Sequence, residues 1–147
     1  MQGTILRSQL RTNIPGDTRI SGRFNTDGAN QPTILEGKNF TVSKPSPTDV
    51  AGHYIVTFGP TTTDKRPVLG LVAGFASAVV ATPNATNSRW VVVHQILTPA
   101  GVVVTGSGGP VGSVILGAIN QAGALANLTA DDDICFEFIV RNTEITS

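Results

Sequence analysis

Apolar and polar side chains alternate most clearly over residues 37–58. Phe40 and Val42 point one way while Thr41 and Ser43 point the other, and farther on Tyr54, Val56 and Phe58 share a face. Pro45, Pro47, Asp49 and Gly52 interrupt the two runs. A period of two with breakers between predicts a pair of half-buried antiparallel strands joined by a turn. The same grammar predicts strands over 19–24, 33–36, 68–75, 78–82, 89–97, 102–105, 113–119 and 134–141, with a weaker one over 4–10. Thr98-Pro99-Ala100-Gly101 reads as a hairpin turn, and residues 25–32, 60–67, 83–88 and 106–112 as loops. Asn120-Gln121-Ala122-Gly123 reads as a turn and 124–133 as a connection; the one helical candidate, 119–128, has Ala and Leu at mixed spacing, is interrupted by Gly123 and has no clear cap. Short strands at this spacing, with Gly/Pro turns and no βαβ rhythm, predict an all-β protein, an antiparallel β-sandwich of jelly-roll type. Residues 1–31 are poorer in apolar positions and are expected as an N-terminal arm, leaving 32–147 as the jelly-roll domain.

Three segments depart from simple alternation. Trp90-Val91-Val92-Val93, Val102-Val103-Val104 and Val114-Ile115-Leu116 are apolar on both faces. A two-layer sandwich has one interior, so a strand greasy on both sides needs a second cover. With no helices to supply it, another subunit is the expected cover, and Val91, Val93, Val103 and Ile115 are the expected contact residues. At about 25 cal/mol per Å2, a few such side chains would drive association by several kcal/mol.

Composition sharpens this expectation. The 147 residues are 40% hydrophobic, enough for a core, but 14% charged, against about 25% in ordinary soluble domains. The formal net charge is zero, so nothing draws the chain toward nucleic acid or an anionic membrane. Charge is unevenly spread: Arg7, Arg11, Arg19 and Arg23 dominate the beginning, and Asp131, Asp132, Asp133, Glu137 and Glu144 the end. Ordinary solvated charge accounts for this, and so does a basic arm docking on an acidic neighbour. Cys135, the one cysteine, has no internal partner and is expected as a buried thiol. No apolar run reaches the ~18 residues of a membrane span. The opening residues lack a signal-peptide pattern, so cytoplasmic manufacture is expected and the sequons at Asn39, Asn84 and Asn127 are read as chance.

Candidate chemistry is sparse. His53 and His94 come without the further ligands a zinc site needs, and no Gly-x-Ser-x-Gly elbow accompanies them. The glycine-rich segment 105–112 lacks the Lys and Ser/Thr of a phosphate loop. Asp131-Asp132-Asp133 offers hard oxygens suited to calcium but not the spaced ligands of an EF-hand, and is expected to be solvated. Aromatics make up 5% of the chain, too few to interleave with basic residues for nucleic-acid stacking. Trp90 or Tyr54 could serve as a sugar-stacking platform if exposed. No catalytic group, cofactor or metal is expected.

The segments Gly37-Lys38-Asn39-Phe40-Thr41-Val42-Ser43-Lys44, Gly52-His53-Tyr54-Ile55-Val56-Thr57-Phe58 and Pro67-Val68-Leu69-Gly70-Leu71-Val72 resemble a recurrent module of tailed-bacteriophage virion proteins. Residues 113–119, Asn120-Gln121-Ala122-Gly123 and Ile134-Cys135-Phe136-Glu137-Phe138-Ile139-Val140 are similar to its last two strands. The resemblance covers roughly residues 37–140; the valine-rich connection between Arg89 and Ser113 departs from it. It implies a C1q/TNF-like jelly roll, a homotrimer, and a place on the phage virion as a capsid decoration (cement) protein bound to the major capsid protein. The basic arm would then touch the capsid. Modules of this kind also form head-fibre and tail-fibre domains, so a receptor- or glycan-binding domain is the alternative. The family has no catalytic motif to carry over.

Overall fold

A computed structural model of the chain describes residues 17–26, 31–45, 50–58, 70–84, 86–105 and 110–141. Among them are eight strands: β1 (Asp17–Asn25), β2 (Thr33–Gly37), β3 (Thr41–Ser43), β4 (His53–Thr57), β5 (Gly70–Val79), β6 (Trp90–Leu97), β7 (Ser113–Ile119) and β8 (Asp133–Arg141). They form two antiparallel four-stranded sheets, ordered β2-β1-β8-β5 and β3-β4-β7-β6. The protein is all-β, as the alternation predicted, and no helix occurs among the described residues.

Period-two patterning fixes what lies between the sheets. Phe24, Ile134, Phe136, Phe138 and Val140 from the first sheet meet Tyr54, Val56, Val114, Leu116 and Ala118 from the second in one core. Aromatic rings tie the layers together. Phe24 stands 5.8 Å from Tyr54, Phe40 lies edge-on to Phe136 at 4.9 Å, and Phe58 lies edge-on to Phe138 at 5.8 Å. Such pairs are worth about 0.5–1.5 kcal/mol beyond the area they bury.

Several expectations are corrected by the pairing. Of the segment expected as an arm, residues 17–25 form β1, an interior strand between β2 and β8, with Phe24 fully buried. Its apolar positions are few because Gly22 occupies one of the inward ones. The two strands expected over 68–75 and 78–82 are one ten-residue strand, β5, carrying an irregularity at Leu71/Ala73. Residues 119–128 hold the expected turn at 120–123 and not the helical candidate, Asn120 N–H donating to the Ala124 carbonyl at 2.9 Å and Ile119 bridging Leu125. The expected hairpin is present: Gly101 N–H donates to Thr98 at 2.9 Å, Val104 N–H to Ile96 at 2.8 Å, and Leu97 bridges Val103. The strand expected over 4–10 lies outside the described residues.

Gly52 shows how tightly the connections are held. Its φ is 72°, its N–H donates to Asn127 Oδ1 at 2.8 Å and its carbonyl accepts from Ala118 N–H at 2.7 Å. A Cβ there would meet Ala118 O at 2.6 Å and Ala126 N at 2.8 Å, both backbone atoms. Gly101 has a similar φ of 80° but open space around it. Gly101→Ala should therefore cost the left-handed penalty alone, about 1 kcal/mol. Gly52→Ala should cost about 3 kcal/mol or more, because backbone must move as well. Urea unfolding of the two variants measures the gap, and equal losses would contradict it.

Candidate interaction surface

β5 and β6 are the last strands of their sheets, β5 hydrogen-bonded to β8 and β6 to β7. They lie against each other, so one flank of the sandwich consists of two edge strands. An edge strand presents unpaired N–H and C=O groups, and proteins that stay apart guard such edges with charge, proline or brevity. The opposite flank is guarded: β2 carries Glu36, and β3 is three residues long and followed by Lys44 and Pro45. Neither β5 (GLVAGFASAV) nor β6 (WVVVHQIL) contains a charged residue or a proline. Between residues 67 and 130 the sole charged side chain is Arg89.

This flank also carries most of the exposed apolar bulk. Trp90 is 63% exposed, Phe75 and Val102 62%, and Val72, Val79, Val92 and Val103 stand out beside them. Elsewhere among the described residues, Ile34, Leu35 and Val50 are the large hydrophobic side chains so exposed. Covering the free part of Phe75 or Trp90 is worth about 3 kcal/mol each, from the roughly 150–250 Å2 such side chains can bury. Association costs about 4–15 kcal/mol, so the aromatics suffice only when the valines are covered with them.

The residues expected at a subunit contact divide. Val103 is exposed on the flank, but Val91 is buried in the core and Val93 packs against it. In a run of four apolar residues parity is set by pairing, and the register with β7 turns Trp90 and Val92 outward instead. Ile115 lies on the outward face of β7, opposite Ile55 and Gln95, yet is 8% exposed. The second cover expected from another subunit is thus largely supplied for β7 within the protomer. Of the sugar platforms, Tyr54 is fully buried in the core and Trp90 is exposed.

The outward face of the first sheet is charged. Arg19 stands 3.7 Å from Glu137, and Arg23 donates through Nε to Asp133 at 2.8 Å and lies 3.8 Å from Glu36. Both are expected capsid contacts; Arg7 and Arg11 lie outside the described residues. Cys135, expected to be buried, is partly exposed on this face between Arg23 and Ser77.

The aspartates before β8 are not solvated as expected. Asp132 is 2% exposed, and its Oδ1 accepts from Ala81 N–H at 3.0 Å while Oδ2 accepts from Thr129 N–H at 2.9 Å. Asp133 is buried and held by Arg23 and Asn25; Asp131 is exposed. Among the described residues no group of three or more His, Cys, Asp or Glu is placed to hold a metal ion. No protein-family model, curated protein or solved structure matches the chain.

The Asp132 carboxylate ties the end of β5 to the turn before β8, so its loss strands two backbone donors. Asp132→Ala should lower stability by about 3 kcal/mol, read by denaturant unfolding. A loss below about 0.5 kcal/mol, the level of an unimportant surface site, would contradict the role.

Proposed function

We propose that the chain is a virion structural protein, a homotrimeric capsid decoration (cement) protein of a tailed bacteriophage. The observation that carries this is the uncharged, apolar flank formed by β5 and β6, whose edges, apart from residues 96–98 at the end of β6 paired with 102–104, meet no further strand among the described residues. A closed ring of three copies covers each flank against a neighbour and removes exposed edges from every protomer. The strand orders β2-β1-β8-β5 and β3-β4-β7-β6 support a jelly roll: the first strand lies beside the last, and the chain crosses between sheets after β2, β4, β5 and β7. The motif resemblance over residues 37–140 supplies the phage setting.

The role is mechanical. A trimer seated where major capsid proteins meet cross-links them and raises the free energy needed to part them against packaged DNA. The seam residues are Phe75, Trp90, Val92, Val102 and Val103. Arg7, Arg11, Arg19 and Arg23 are the proposed capsid contacts, with residues 1–16 as the part of the arm that precedes β1. The alternative is a receptor- or carbohydrate-binding head-fibre or tail-fibre domain, with exposed Trp90 as its stacking platform.

Heads lacking this chain, incubated with the purified protein, should gain density at capsomer junctions in electron microscopy and withstand higher temperature before rupture. The Phe75→Glu/Trp90→Glu variant should keep a β-type circular dichroism spectrum but neither trimerise nor decorate. A truncation testing the arm must stop before Asp17, because β1 belongs to the sheet. Binding to glycan arrays with no affinity for heads would overturn the cement role in favour of the alternative.

A further inference from the structure

His53 on β4 and His94 on β6 are the two histidines of the chain. Their strands are not neighbours, since β7 runs between them, which separates the backbones by about 10 Å. The rings nevertheless stand 4.7 Å apart, centroid to centroid, tilted by 43°. Gly117 of β7, in register with His53 on one side and Val92 on the other, makes this approach possible. A Cβ at Gly117 would lie 3.3 Å from the His94 Cβ and 3.2 Å from Leu125 Cδ2. The imidazoles therefore meet above a position without a side chain, and His94 continues the outward stripe begun by Trp90 and Val92 on the open edge strand.

Among the described residues, the strands around the pair offer a cation no carboxylate. β3, β4, β6, β7 and residues 120–126 contain no Asp, Glu, Lys or Arg. Lys44, just after β3, is turned inward with its Nζ 5.4 Å from the centre of the Tyr54 ring. Arg89, just before β6, donates to the Ser88 carbonyl at 3.0 Å. His53 Nε2 is buried and meets no hydrogen-bond partner. Burial, and secondarily the neighbouring His94, hold the His53 imidazole below its ordinary value.

We infer that the His53–His94 pair makes self-association through this flank proton-sensitive, each added proton placing a charge beside Trp90 and Val92 on a face whose described strands carry no carboxylate. This rests on the seam proposed above and adds its regulation. The neutral His53 imidazole is the form favoured in the folded chain. Its contribution is complete above pH 6.5, the ordinary histidine value, and declines as pH falls from there toward the depressed one.

Sedimentation of the full chain at about pH 7.5 and about pH 5 tests this, beside the His53→Gln/His94→Gln variant. The wild type should associate about tenfold more weakly in acid for each pKa unit by which assembly further depresses His53. The variant should keep one mass at both values. A wild type assembled equally at both removes the proton sensitivity and leaves the seam standing. Acid weakening that persists in the variant also overturns it, assigning the effect to carboxylates. A wild type monomeric at both overturns seam and inference together. Should the variant not fold, imidazole proton resonances of the assembled wild type decide: titration below the ordinary value supports the inference, and titration at it refutes it.

Discussion

A strand bonded on one side leaves half of its backbone donors and acceptors facing outward. In this fold, two such strands stack on one flank, β5 and β6, and neither carries charge or proline. Water can satisfy their polar groups, but it cannot offset the apolar side chains they turn outward, Phe75 and Val79 from β5 and Trp90 and Val92 from β6. Phe75 and Trp90 are each more than three-fifths exposed, which a protomer living alone has little reason to tolerate. The opposite flank has the ordinary protections of a short β3 and charged or proline neighbours. The asymmetry between flanks, rather than total hydrophobicity, is what would direct the proposed association to one place.

The two outward sheet faces are equally unlike. β1 and β8 carry arginines against glutamate and aspartate across neighbouring strands. These exposed pairs add little stability, since screening and side-chain entropy offset most of the attraction. Their consequence is a wet, polar face beside β5. The second sheet presents Ile55, Ile115, Gly117 and the histidine pair on its outward side, with no charge of either sign among its strands. Charge thus collects on the β1–β8 part of one sheet, and exposed apolar surface on β5 and on the other sheet, which in the proposed trimer would turn the flank inward and leave the arginine-bearing strands for the capsid.

Alternation made much of the fold legible. Phe40 and Val42, then Tyr54 and Val56, mark β3 and β4, and Ile134 to Val140 alternates through β8. β1 was legible as a strand over 19–24 but not as part of the core sheet, because its outward positions include arginines and one inward position is Gly22, a pattern that mimics a solvated arm. Its identity depends on partners in β8, more than a hundred residues away, and pairing at that distance is not written locally. β5 was expected as two strands parted at Ala76 and Ser77, where the chain in fact runs on in register with Phe136 and Cys135.

The seam was legible in kind more than in position. Four consecutive apolar residues, 90–93, indicate a strand with two greasy faces but not which face is which; the register with β7 sends Val91 and Val93 inward. Ile115 is buried although it faces outward, so being apolar on both faces did not by itself mark a subunit contact. The signal that locates the flank was in the chain throughout: a stretch of residues 67–130 with Arg89 as its single charge. It became informative once β5 and β6 proved to be neighbouring edges.

Hydrogen–deuterium exchange along β5 and β6, followed as the protein is diluted, tests most directly whether other copies cover this flank. Covered edges predict slow exchange at the outward amides of both strands, speeding on dilution while those of β1 and β8 stay protected. Fast exchange of the β5 and β6 edges at every concentration would contradict the account.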